Sequence, residues 1–229
     1  MIRRLSLARL GPDAQPIRLL AVSDEAERAF DFERNRADLG PIDGILGAGD
    51  LEPHYLSFLA DAFRAPLIYV RGNHDRGANW SALDRQLPRP LDARFEKLAG
   101  VKVAGLCWPG DAGVQAVRDE SAAWLQAFAL ALRARGERPL IVLSHVPPRG
   151  LGDTPEDHYH RGFGAYHWLC ARLKPALWIH GHTAPAATAE WRHDWGGTTL
   201  VNATGAVLIE LVANPRAAAT IAVPEGASI

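Results

Sequence analysis

Short apolar runs rich in Val, Ile and Leu recur along the chain, at 17–22, 44–48, 67–70, 140–143 and 176–179. Unbroken runs of this length suit strands that are covered on both faces, as in parallel sheets. Between the second and third, Leu56, Leu59, Ala60 and Phe63 fall at helical spacing, and Pro53 is placed for a first helical turn. Before the fourth, Val117, Trp124, Leu125, Phe128 and Leu132 repeat with the same period, and Arg133, Arg135 and Gly136 supply a stop. The last part reads differently. Residues 199–202 and 206–211 predict two strands joined by a tight turn at Thr204-Gly205, and 94–106 predicts a hairpin turning at Ala99-Gly100. The order is βαβ units followed by hairpins, which predicts an α/β protein with a two-sheet core and helices outside.

Composition narrows this further. At 229 residues and 48% hydrophobic content, the chain suits one α/β domain over residues 1–229 with a core that needs no staples. Lys plus Arg total 25 against 26 Asp plus Glu, so no charge excess points to an extended nucleic-acid surface or a membrane. A small phosphorylated ligand stays open. Cys107 and Cys170 lie in no C-x-x-C pattern and read as reduced, core-packed thiols. No long apolar run follows Met1, so a soluble, cytoplasmic protein is expected.

The candidate chemistry lies where the strands end. The five apolar runs lead into Ser23-Asp24, Gly49-Asp50, Gly72-Asn73-His74-Asp75, Ser144-His145 and His180-Gly181-His182. In open α/β sheets, ligands gather outside the carboxyl ends of the strands, which places Asp24, Asp50, Asn73, His145 and His182 along one rim. Carboxylates, an amide oxygen and imidazoles make a mixed O/N set suited to Mn, Fe or Zn. The glycines at 49, 72 and 181 permit tight turns beside such ligands. Asp50 and Asn73 also have an ordinary reading as turn residues.

Gly49-Asp50, Gly72-Asn73-His74-Asp75, His145 and Gly181-His182, in that order, resemble the signature of the calcineurin-like metallophosphoesterases. The resemblance implies a four-layer α/β/β/α sandwich and metal-dependent hydrolysis of a phosphomonoester or phosphodiester. It implies Asp50, Asn73, His145 and His182 as ligands of one ion, with Asp24 and a bridging Asp50 at a second. Asn73 and His74 would meet the substrate, His74 protonating the leaving oxygen and Asp75 either orienting it or facing solvent. The segment 145–163 resembles a block of some bacterial members, in which Arg161 would hold a phosphate oxygen and His160 border the pocket, unless both belong to a solvated loop.

Two positions depart from the family pattern. The first motif reads Asp24-Glu25-Ala26 where the family has Asp-x-His, and the last reads Gly181-His182-Thr183-Ala184 where it has Gly-His-x-His. By resemblance both missing histidines serve the same ion, so one site is complete and the first is degenerate. The weakened site would suit Mn or Mg or stand empty, with Glu25 either replacing a ligand or exposed. A non-catalytic binder of metal or of a phosphorylated ligand is the alternative function.

Overall fold

The computed structural model describes residues 2–77, 80, 87–111, 117–135, 138–183 and 191–214. A strand missing from the sequence reading comes first, β1 (Arg3–Leu10), followed by β2 (Ile17–Ser23), α1 (Glu33–Ala37), β3 (Gly44–Gly47), α2 (Pro53–Phe63) and β4 (Leu67–Tyr69). β5 (Arg94–Leu98) and β6 (Val101–Leu106) form the expected hairpin, and β7 (Gly110–Asp111) pairs with β8 (Val117–Arg118). Then come α3 (Glu120–Arg133), β9 (Ile141–Ser144), α4 (Gly164–Leu173) and β10 (Leu177–His180). The chain continues into β11 (Arg192–Trp195), β12 (Thr198–Asn202) and β13 (Gly205–Ala213). The five apolar runs are β2, β3, β4, β9 and β10, each displaced by no more than one residue at either end.

One sheet runs β1-β13-β2-β3-β4 and the other β11-β12-β10-β9-β6-β5. Strands β2, β3 and β4 are parallel, as are β6, β9, β10 and β12, so each sheet brings its chemistry to one edge. Side-chain alternation sorts the core into layers. Leu19 and Ala21 of β2, Leu46, Ile68, Val207 and Ile209 meet Val103, Ile141, Leu143, Ile179 and Val201 between the sheets. Their alternates Leu20, Val22, Ile45 and Tyr69 pack under Leu56 and Leu59 of α2. Val142, Trp178 and Leu200 pack under Ala123, Ala127 and Leu130 of α3 and Tyr166 and Leu169 of α4. The result is the expected α/β/β/α sandwich.

Two local expectations are corrected. β12 and β13 do not form a hairpin: β12 pairs with β10 in one sheet and β13 with β2 in the other, so the chain crosses between sheets at Ala203-Thr204. A hairpin turn and a sheet-switching corner look alike in sequence, because both need a short polar turn with a positive φ, here Gly205 at φ 78°. The second correction concerns α3. Val117 lies in β8, before the helix, and Leu125, Phe128 and Leu132 are exposed, whereas small Ala123 and Ala127 face the sheet with Leu130.

Both cysteines are free thiols. Cys170 is buried on α4 and Cys107 is half-buried, with its sulfur accepting the Arg71 amide at 3.2 Å. Among the described residues, no helix is long and apolar enough to cross a membrane.

Candidate metal centre

The carboxyl ends of β2, β3, β4, β9 and β10 converge where the two sheets meet, and all five strand-end residues come together there. Asp24, Asp50 and His145 each offer one donor atom, all within 4.8 Å of one another. His145 Nε2 lies 3.1 Å from Asp50 Oδ2, 2.9 Å from Asn73 Oδ1 and 3.2 Å from His182 Nδ1. Four donor atoms thus crowd one point from four separate strand ends.

The protons settle what these atoms are. His145 Nδ1 is 2.8 Å from the Ala48 carbonyl, which can only accept, so Nδ1 carries a proton and Nε2 is the nitrogen left to ligate at the centre. His182 Nε2 is 3.0 Å from the Tyr159 carbonyl, which assigns its proton in the same way and turns the Nδ1 lone pair inward. Asn73 Nδ2 donates to the Tyr159 hydroxyl at 2.7 Å, leaving Oδ1 to face the same point. These acceptor atoms repel one another unless a cation lies between them, either a proton on His145 Nε2 or a metal ion. Donor atoms about 2.1 Å from a divalent transition metal stand roughly 3 Å apart, which is the spacing found here. The residues present fit a divalent ion.

Charge in the metal-free protein follows the same geometry. Burial opposes a charge on His145, but the bonded Asp50 carboxylate outweighs it and pushes the imidazole up to about 9. Burial and then His145 itself push His182 down to about 3. Asp50 is raised by burial but lowered more by His145, with a net fall.

Backbone geometry supports the centre. Asp24, Asp50 and His182 have φ of 59°, 54° and 67°, in the left-handed region that non-glycine residues avoid. Such strain costs on the order of 1 kcal/mol per residue and clusters at functional sites. At Gly181 a Cβ would collide with Ser23 and the Asp24 carboxylate, and at Gly49 it would lie 2.7 Å from His145 Nδ1. Asp24 is held by the His182 amide and by the Thr204 hydroxyl at 3.1 Å.

Asp75 needs a correction. It neither faces solvent nor orients His74: it is 3% exposed, and its Oδ2 accepts the amides of Asp50 at 2.9 Å and Gly72 at 2.7 Å. Burial, more than the neighbouring Asp50 charge, raises its carboxyl to about 6. It ties the β3 and β4 loops together. His74 is exposed, with its amide on Asp50 Oδ1 at 2.8 Å and its Nε2 3.5 Å from the Tyr159 hydroxyl.

A cavity of about 520 Å³ opens beside the centre, and Asp24, Asp50, His74, Ala26, Arg28 and Arg76 line part of it. Ala26 therefore borders Asp24, where the family pattern has a histidine, while Glu25 is exposed and outside the lining. Ala184 lies outside the described residues. Arg161 is not part of the lining, and its Nε is bound within its own loop to the Pro155 carbonyl at 2.8 Å. Arg28 and Arg76, which the sequence reading passed over, hold the wall instead. His160 is not part of that lining either: its ring lies 5.2 Å from that of His182, and it is paired with Asp157. Trp108 also packs on His182, at 5.7 Å between rings.

A two-sheet sandwich with a strained O/N donor set at its strand ends is an α/β architecture with a candidate metal centre. The profile of the calcineurin-like phosphoesterases matches residues 18–186, and the chain belongs to that family. Among solved structures, TT1561 of Thermus thermophilus is similar with a TM-score of 0.55 and 18% identity over 83% of this chain and 90% of that one. A further solved chain gives 0.58 and 17% over 83% and 91%. Vps29 of Entamoeba histolytica, solved with Zn²⁺, gives only 0.39 and 13% over 82% and 74%. At these identities the likeness concerns the fold alone. No curated protein matches.

Proposed function

We propose that this chain is a metal-dependent phosphoesterase that hydrolyses a phosphomonoester or phosphodiester. The observation that carries the proposal is the facing pair His145 and His182. Each ring gives its outer proton to a backbone carbonyl and turns its inner nitrogen to the other, 3.2 Å away. Asp50, Asn73, His145 and His182 would hold one divalent ion, and Asp24 with Asp50 a second, weaker one. A bound divalent ion supplies Lewis acidity toward a phosphoryl oxygen and lowers the pKa of water.

The chain's own side chains would do the rest. Arg28 and Arg76 offer guanidinium charge to phosphoryl oxygens entering the cavity. His74, exposed at the cavity wall, would place a proton on the leaving oxygen through its ring. Asp75, Thr204 and the Tyr159 carbonyl keep their neighbours in place.

One observation favours the second reading, a binder without turnover: Ala26 lines the cavity beside Asp24 and offers no ligand atom. Purified protein should be assayed on mono- and bis-nitrophenyl phosphate with Mn²⁺, Fe²⁺, Zn²⁺ and Mg²⁺, with bound metal measured in parallel. Metal-dependent release of nitrophenol supports the enzyme. Stoichiometric metal with no turnover on either ester supports the binder, and no bound metal defeats both.

A further inference from the structure

The loop between β9 and α4 carries a residue that touches three of the site's side chains. The Tyr159 hydroxyl accepts from Asn73 Nδ2 at 2.7 Å and lies 3.5 Å from His74 Nε2, while the Tyr159 carbonyl accepts from His182 Nε2 at 3.0 Å. Its ring stacks obliquely on His182, with centroids 5.6 Å apart.

The loop is built to hold that residue still. Buried Asp153 staples it closed, accepting the amides of Gly150 and Gly162, each at 2.8 Å. Asp157 accepts the Tyr159 amide at 2.8 Å. From outside the loop, Arg118 donates to the carbonyls of Tyr159 at 3.1 Å and Gly162 at 3.4 Å, with its guanidinium 4.1 Å from the Phe163 ring.

An asparagine ligand has a weakness that a carboxylate lacks. Rotated by half a turn it offers the metal an NH₂ group in place of an oxygen, and the two ends are almost the same size. The amide end of Asn73 must therefore be recognised by something. Asn73 is fully buried, and His145 Nε2, which also meets Asp50 Oδ2 at 3.1 Å and gives up any proton to an entering ion, holds neither end of the amide in the loaded site. The phenol oxygen can, because its own proton turns to His74 Nε2 at 3.5 Å and leaves only lone pairs toward Nδ2.

We propose that Tyr159 is a positioning residue of the metal centre. Its hydroxyl selects the Asn73 rotamer that turns Oδ1 to the ion, and its carbonyl selects the His182 tautomer that turns Nδ1 to it. This rests on the metal-binding reading above, and it adds to that reading a side chain that is neither a ligand nor a group in the reaction.

Tyr159→Phe removes the hydroxyl and keeps the ring on His182 and the loop carbonyl. Chelator-stripped protein is titrated calorimetrically with Co²⁺, and the visible spectrum of the loaded protein is recorded. Loss of an outer partner typically weakens metal binding by about 10–100-fold, and that is the expected loss here, with an unchanged melting temperature for the metal-free protein. The comparison is then repeated in Asn73→Asp, whose carboxylate presents oxygen in either rotamer. There the same tyrosine change should alter affinity by less than about threefold, a coupling that a merely structural role would not produce. Wild-type affinity in Tyr159→Phe, or an equal loss in both backgrounds, overturns the inference and leaves the phosphoesterase reading standing. Absence of Co²⁺ binding by the wild type brings down both.

Discussion

The backbone amide of His182 donates to both carboxylate oxygens of Asp24, at 3.2 and 3.1 Å, and thereby joins the ends of strands in different sheets. Asp24 follows β2 in the five-stranded sheet and His182 follows β10 in the six-stranded one. Both residues have positive φ, so the bond also holds two strained corners closed. Asp24 therefore has a role in the fold that is separate from any metal. Asp24→Ala should destabilise the metal-free protein by about 1–3 kcal/mol in urea unfolding, the cost of deleting a charged acceptor from its donors. Asp24→Asn, which keeps one acceptor oxygen, should lose less. Equal stability of wild type and Asp24→Ala would show that the cross-sheet bond contributes nothing.

Metal binding should release one proton at pH 7. His145 is held at about 9 in the metal-free protein, so below that pH its Nε2 carries a proton that an entering ion must displace. His182, pushed down to about 3, is already neutral and releases none. Apparent affinity should therefore rise about tenfold per pH unit from 6 to 8 and level off near 9. Calorimetry in buffers of different ionisation enthalpy counts the protons directly. A count near zero would mean that His145 is neutral before the metal arrives.

Asp75 should prove to be a fold residue. Its Oδ2 caps two amides, and Asp75→Ala would leave the Asp50 and Gly72 N–H groups without that acceptor in a buried loop. Each lost partner costs about 1–3 kcal/mol when the group stays dry. Asp75→Asn keeps an acceptor oxygen and should retain most of the stability, metal binding and turnover. If Asp75→Asn instead lost turnover while folding and binding metal normally, the carboxylate would have a chemical task after all.

Much of this centre was legible because buried parallel strands leave unbroken apolar runs, and each run is followed directly by its ligand. The edge strand β1 was harder to see: only Leu5, Leu7 and Leu10 face the core, and Arg3, Arg4, Ser6 and Arg9 interrupt them. The alternation at Leu5 and Leu7 was the available signal, and a register shift between Ala8 and Leu10 breaks it. On α3 the large apolar residues misled, since Ala123 and Ala127 let the helix approach the sheet closely while Trp124 and Phe128 cluster with Trp168 on the outside. Tyr159 and Thr204 act across long separations in the chain, which no local pattern records. The same holds for Asp75, whose partners are backbone amides and leave no trace in residue type. The positive φ of Asp24, Asp50 and His182 becomes visible only in coordinates.

His74 separates an enzyme from a binder of the same fold. Its ring is exposed at the cavity wall, and its tie to the centre is its backbone amide on Asp50 Oδ1, a bond that any residue at 74 retains. His74→Ala should therefore leave metal affinity within a few-fold of wild type. Turnover should fall by about 10²–10⁴, the usual contribution of a positioned general acid. The loss should be smaller on nitrophenyl esters, whose leaving group needs little protonation, than on alkyl phosphoesters. His182→Ala removes a proposed ligand and should lower metal content and activity together. Restoring the family's histidines with Ala26→His and Ala184→His should raise the tightly bound ions from one toward two. Position 26 lines the same cavity as Asp24. If the wild type turns over no phosphoester and the restored protein does, the natural chain is a binder. If His74→Ala loses metal and activity in parallel, then His74 belongs to the ligand set and not to the chemistry.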